Sequence, residues 1–152
     1  MEERTNRPER VASVDRLAFG LVVALGSNDA GRRKRAADRL WQLGPRAVRR
    51  AVGPLLALLD DDDREVSIAA GLSLFSAAPL PDEYVPALMR LLLNRRPEVR
   101  GWSASLLGDF ATARVVVART LETLAHHDPS AEVRWRATTA LAALADRSER
   151  PS

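Results

Sequence analysis

The sequence contains no cysteine. This excludes a disulfide framework, a cysteine-ligated metal centre and thiol catalysis, and nothing in the chain demands an oxidising compartment. Aromatic side chains are only 5% of the 152 residues, so a core has to be built from Ala, Leu and Val. Long apolar runs are missing too. The longest, Leu17 to Leu25, is about half of what a bilayer-spanning helix needs. The first ten residues, MEERTNRPER, are charged and lack the shape of a signal peptide. A cytoplasmic protein with no membrane association is the expectation. The glycines are scattered singly, and no Gly-rich phosphate loop, HExxH string or nucleophile elbow is present.

What the chain does have is a globular balance, 46% hydrophobic and 28% charged, enough for one domain to bury a core. Ala and Leu, which supply much of the apolar content, also favour helix. The net charge is only +3. The calculated pI of 10.4 overstates the basic character, because nearly all the cations are arginine and titrate far above neutrality.

Four segments of the chain align. They begin at Arg32, Val66, Val99 and Val133, with spacings of 34, 33 and 34 residues. Small or apolar residues follow at the fourth, eighth and usually eleventh place after each start, which is one face of a helix. Ala36 and Leu40, Ala70 and Leu74, Ser103 and Leu107, and Ala137 and Leu141 fill the fourth and eighth places. A second helical run precedes each segment: Val11–Leu25, Ala47–Leu59, Glu83–Leu93 and Thr112–Ala125. Gly44-Pro45 and the stretch from Ala78 to Asp82 mark boundaries between pairs, with Asp60–Asp63, Asn94–Pro97 and Asp128–Ser130 as turns within them. No strand pattern competes. The periodicity predicts an all-α fold of four helix pairs. It places a repeat domain over 11–145, in pairs of about 11–44, 45–78, 81–110 and 112–145. A flexible segment at 1–10 and a tail at 146–152 flank it. One helix pair cannot hide both of its apolar sides, so stacking into a single array is expected.

The strings Leu58-Leu59…Glu65-Val66, Leu91-Leu92…Glu98-Val99-Arg100 and Glu132-Val133-Arg134…Ala137…Leu141 resemble the HEAT-repeat family, including its short bacterial members of the phycobilisome-lyase type. Pro54 and Pro86 resemble the proline that bends the first helix of such repeats. The resemblance covers roughly residues 11–145 and implies an α-α superhelix, or solenoid. Arg32 departs from the pattern at the valine position, and Ser67 stands where the family usually has arginine. For Arg33, Arg100 and Arg134, one place after each start, the resemblance implies pairing with loop acids between repeats.

Signals for catalysis are few. His126-His127-Asp128 would need further ligands to hold a metal, and no other histidine or cysteine exists. The pair reads as a solvated helix end, with Asp128 starting the next helix. The run Asp60–Asp63 lacks the alternating ligands, glycine and terminal glutamate of an EF-hand loop. One of its carboxylates is expected to cap the helix that contains Val66. No enzyme activity and no cofactor are expected.

Binding by a surface remains. In each second helix the face opposite the core falls near the second, third and sixth places after the start. The family resemblance implies that second helices line the concave side. Arg35, Ile68, Leu72, Trp102, Trp135 and Arg136 lie there, among less distinctive neighbours such as Ala69 and Gly101. Tryptophan and arginine are enriched at binding hot spots, so another protein or a second copy of the chain is the expected partner. A second candidate is the basic stretch from Arg32 to Arg50, where Arg32, Arg33, Lys34, Arg46, Arg49 and Arg50 are possible phosphate contacts. It carries the alternative reading, a nucleic-acid binder distantly like the HEAT-like alkylpurine DNA glycosylases. Trp102, Asp109 and Arg136 supply the residue types of the cluster those enzymes use. A bilin lyase is a third reading, carried by fold analogy.

Overall fold

The computed structural model describes residues 7–109 and 114–148. Most of the expected flexible start (1–6), the end of the expected tail (149–152), and Phe110 and Thr112 lie outside the described residues. All regular structure among the described residues is helical. The chain divides into two compact units, Met1–Ala77 and Ala78–Ser152. The division falls at the proline-rich stretch that separates the second and third pairs, and each unit holds two helix pairs.

The first unit contains α1 (Arg7–Leu25), α2 (Ala30–Leu43), α3 (Pro45–Arg49), α4 (Val52–Leu58) and α5 (Arg64–Ser76). Helix α1 starts four residues ahead of the expected run. The helix expected over Ala47–Leu59 is broken into α3 and α4. Pro54 explains the break: it has no N–H to give the carbonyl of Arg50, four residues back, and its ring crowds that carbonyl. Asp29 caps α2, its Oδ1 accepting from the Arg32 amide at 2.6 Å. Asp63 caps α5, accepting from the amides of Glu65 (2.8 Å) and Val66 (3.2 Å), as the acidic run predicted. Gly44 joins α2 to α3 with φ 91° and ψ 178°, a backbone region open essentially to glycine alone.

The second unit opens with a 3-10 turn (Asp82–Tyr84), then α6 (Val85–Leu91), α7 (Pro97–Leu107), α8 (Arg114–His127) and α9 (Ala131–Ser148). Pro86 sits in the first turn of α6, where its missing N–H costs nothing. The turn ahead of it replaces the first residues of the expected helix.

The core follows the repeat. Ala36 and Leu40, then Val66, Ala70 and Leu74, are buried in the first unit; Val99, Leu107, Val133, Ala137 and Leu144 are buried in the second. Each fully buried leucine contributes roughly 2 kcal/mol by leaving water. In unit one α5 packs on α2 and α4, and in unit two α9 packs on α7 and α8.

Each unit also carries one arginine–aspartate clamp. Arg33 donates to Asp61 through Nε (2.7 Å) and Nη2 (2.8 Å), and to the Ser27 carbonyl through Nη1 (2.8 Å). Arg100 repeats this on Asp128 (2.7 and 2.8 Å) and on the carbonyls of Asn94 and Arg95. Arg134 makes no ion pair among the described residues and donates to the carbonyls of Asp128 and Pro129. In the repeat register Ser67 stands at the arginine position and Asn94 at the aspartate position. Ser67 donates to the Leu59 carbonyl (2.6 Å) within the first unit. Asn94 accepts from the Arg96 amide (2.8 Å) within the second.

Candidate interaction surface

The side chains that bury α5 against α2 determine which residues of α5 are left outside. Ala69, three places after the repeat start, is buried. Ser73, seven places after it, donates to the Ala37 carbonyl on α2 at 2.9 Å. The same places on α9 face α7. Arg136 crosses to α7, with Nη1 3.4 Å from the Ser105 Oγ, and Ala140 lies so close to Gly108 that a Cβ there would come within 2.8 Å of its Cα. On α5 and α9 the expected open face, at the second, third and sixth places, is therefore corrected: there the third place turns toward the preceding second helix of the same unit, and the outward stripe runs through the second, sixth and ninth places. Arg35, at the third place of α2, stays exposed.

On α5 that stripe is Ile68, Leu72 and Phe75, one turn apart. Ile68 is half-buried, while Leu72 and Phe75 are each 51% exposed. On α2 the ninth place is Trp41, 54% exposed, with Lys34 and Asp38 paired at 2.9 Å on the turns before it. Sequence reasoning missed Trp41 and Phe75, although Phe75 stands seven residues after Ile68 and a search one turn further would have found it. On α9 the stripe begins with Trp135, 62% exposed, followed by Thr139. On α7 it is Gly101, Ser105 and Gly108, small residues filled over by α9. Gly101 is buried because the Arg136 side chain lies on it, 2.9 Å from where a Cβ would stand.

Trp102 and Trp135, grouped by the sequence reading, have different surroundings. Trp102 is half-buried beneath the Arg136 guanidinium, whose central carbon is 4.7 Å from the ring centroid. Glu132 holds that guanidinium at 2.7 Å. The cation–π contact and the ion pair together fix the orientation of the indole. Trp135 stands open.

The basic stretch is divided by its counterions. Arg33 is engaged by Asp61, and Lys34 by Asp38. Both cations are pushed upward in pKa, chiefly by the hydrogen bond to the carboxylate. Asp15 on α1 takes Arg50 at 2.9 Å and Arg46 at 3.7 Å. Arg32, Arg35, Arg39 and Arg49 are exposed and make no ion pair among the described residues. Of the possible phosphate contacts, Arg32 and Arg49 are left without a carboxylate partner among the described residues.

His126 and His127 are exposed at the end of α8. Asp128 does not start α9. Its side chain is 3% exposed and held by Arg100, while Ser130 Oγ accepts from the Val133 amide at 3.4 Å. The Arg100 hydrogen bonds keep the Asp128 carboxyl below the usual aspartate range, with further help from the Ser130 amide. Among the described residues no three His, Cys, Asp or Glu side chains are grouped to hold a metal ion, and no helix is long and apolar enough to cross a membrane.

A family model described as HEAT repeats matches residues 54–142. No curated protein matches the sequence significantly. Among solved structures, the chain is similar to an engineered protein, a structural-genomics target determined by crystallography. The two share 27% identity and a TM-score of 0.62, over 84% of this chain and 62% of that one. The chain thus spans under two thirds of that protein's length.

Proposed function

The chain belongs to the HEAT-repeat family, and from that premise we propose that it is a non-catalytic, cytoplasmic protein-interaction module. It binds another protein, or a second copy of itself, through the outward stripes of its second helices, α5 in the first unit and α9 in the second. The observation that supports this reading is the exposure of large apolar side chains on the outward stripes of second helices, Leu72 and Phe75 on α5 and Trp135 on α9. Water is a poor environment for a row of such side chains on one helix face, and apolar patches of this kind mark interaction surfaces. Trp102, already oriented by Arg136, would contribute with little further loss of side-chain freedom. HEAT repeats commonly serve as interaction scaffolds, which agrees.

The test is quantitative binding to a partner captured from the native host, with the oligomeric state followed by sedimentation. Leu72→Ala with Phe75→Ala, and separately Trp135→Ala, are expected to weaken binding by about tenfold or more each, because hot-spot side chains contribute roughly 2 kcal/mol or more. Unchanged affinity and unchanged oligomeric state in all of these variants would overturn the reading. The nucleic-acid alternative draws on the basic stretch, where half of the eight cations already have carboxylate partners.

A further inference from the structure

Arg32, Arg35, Arg39 and Gln42 lie three or four residues apart on α2, along one stripe of the helix. They form one wall of a cleft of about 530 Å³ between α1 and α2. The floor is apolar, made by Leu21 and Ala24 from α1 and Ala36 from α2. The one carboxylate in the lining, Asp38, is occupied by Lys34 at 2.9 Å. Arg39 donates to Gln42 Oε1 at 2.9 Å and otherwise faces the cleft with its charge uncompensated.

This row of cations does not stabilise the helix that carries it. Like charges three and four residues apart on one face repel. Arg32 is the third residue of α2, in the first turn, where the helix dipole disfavours a cation. Elsewhere in the same stretch the fold supplies a carboxylate: Asp61 for Arg33, Asp38 for Lys34, and Asp15 for Arg46 and Arg50. At the cleft no described residue supplies one to Arg32, Arg35 or Arg39.

We propose that this cleft binds an acidic helical segment of a partner protein, carboxylates against Arg32, Arg35 and Arg39 and an apolar side chain on the floor. The proposal rests on the reading of the chain as a protein-interaction module but uses a different face from the stripe on α5 and α9. The arginines are spaced about 4.5 and 6 Å along the axis of α2, which matches carboxylates one turn apart on a partner helix. Guanidinium and carboxylate pair bidentately. Nucleic acid fits less well, since no aromatic ring lines the cleft for a base to stack on, and a sugar–phosphate chain leaves an apolar floor uncovered.

The experiment is fluorescence anisotropy of the full chain with a labelled amphipathic helical peptide carrying glutamates one turn apart beside a leucine. The peptide with each Glu replaced by Gln, and a random-sequence single-stranded oligonucleotide, serve as comparisons. Saturable binding of the acidic peptide is expected, with at least about a tenfold loss for the Gln peptide. Arg35→Glu with Arg39→Glu should give a similar loss, and the milder Arg35→Gln with Arg39→Gln should follow it if the reversal disturbs folding. Arg49→Glu removes an unpaired arginine outside the cleft and should leave affinity unchanged. No peptide binding, equal binding of the Gln peptide, insensitivity to both Arg35/Arg39 pairs, or preference for the oligonucleotide through those same arginines would each overturn the proposal. The Leu72, Phe75 and Trp135 variants should still bind the peptide, so failure at one face is distinguishable from failure at the other.

Discussion

Arg100 and Asp128 are 28 residues apart in sequence and joined by two parallel hydrogen bonds of 2.7 and 2.8 Å. Arg33 and Asp61, also 28 residues apart, meet with the same two distances. In each case the arginine also donates to the loop carbonyl six residues before it. One guanidinium thus ties the loop that starts its own helix to the loop of the following pair. The planar fork of arginine suits this task, and a lysine cannot reproduce it.

Breaking the clamp should be costly, because it strands a charge that is almost fully out of water. Asp128→Ala and Arg100→Ala are each expected to lower unfolding stability by about 3 kcal/mol, read by urea denaturation. Arg100→Lys should recover only part of the loss. A double-mutant cycle should show strong coupling between the two positions; additive effects would mean that the pair does not act as a clamp.

The same pair sets an acid limb. The Asp128 carboxyl titrates below its ordinary range in the folded protein and near about 3.9 in the unfolded chain. Between those two values the unfolded state binds more protons, so stability rises with pH there. The contribution is complete above the unfolded value and is lost as pH falls through the folded one. The stability difference between the wild type and Asp128→Asn should therefore be constant from neutral pH to about 5 and shrink below about 4. A difference that does not vary with pH would contradict this.

Two glycines in the first unit should respond oppositely to alanine. Gly44, at φ 91°, should lose about 1–3 kcal/mol on Gly44→Ala, since a Cβ strains that backbone whatever the space around it. Gly20 is exposed within α1, and a Cβ there meets nothing within 4 Å. Gly20→Ala should raise stability by up to about 1 kcal/mol through helix propensity. Thermal melts of the two variants are the measurement.

In the second unit the contrast is between backbone and side chain as the obstacle. A Cβ on Gly108 comes within 2.8 Å of the Ala140 Cα, so Gly108→Ala should cost about 1–3 kcal/mol by pushing α9 off α7. A Cβ on Gly101 meets the flexible Arg136 side chain at 2.9 Å. Gly101→Ala should leave stability nearly unchanged, with the displaced guanidinium visible as a change in tryptophan fluorescence.

The helix pairs, their spacing and the core places at the fourth and eighth positions were legible in the sequence because they depend on contacts within a turn or two of one helix. The Asp63 cap is local in the same way; at Pro54 the resemblance implied a bend, and the structure has a full break. Of the neutralisation of the basic stretch, only the pairing of Arg33 with a loop acid was legible, through the repeat resemblance. Only Asp38 lies within it, whereas Asp61 and Asp15 come from other helices and loops to take three of its arginines. Asp128 was misread as a helix start for the same reason, since its partner is 28 residues away.

The 3.6-residue period of α5 and α9 dictates that Ile68, Leu72 and Trp135 point away from the core. It does not say which flank of that outward face stays open. Packing of α5 on α2 buries Ala69 and Ser73, and packing of α9 on α7 lays Arg136 over Gly101 and Trp102. Those contacts turn the open stripe toward Trp41, Phe75 and Trp135. The repeat is therefore written in the order of residues along each helix. The choice of exposed side chains, and of which arginines keep their charge unpaired, depends on neighbours that meet only when the helices pack.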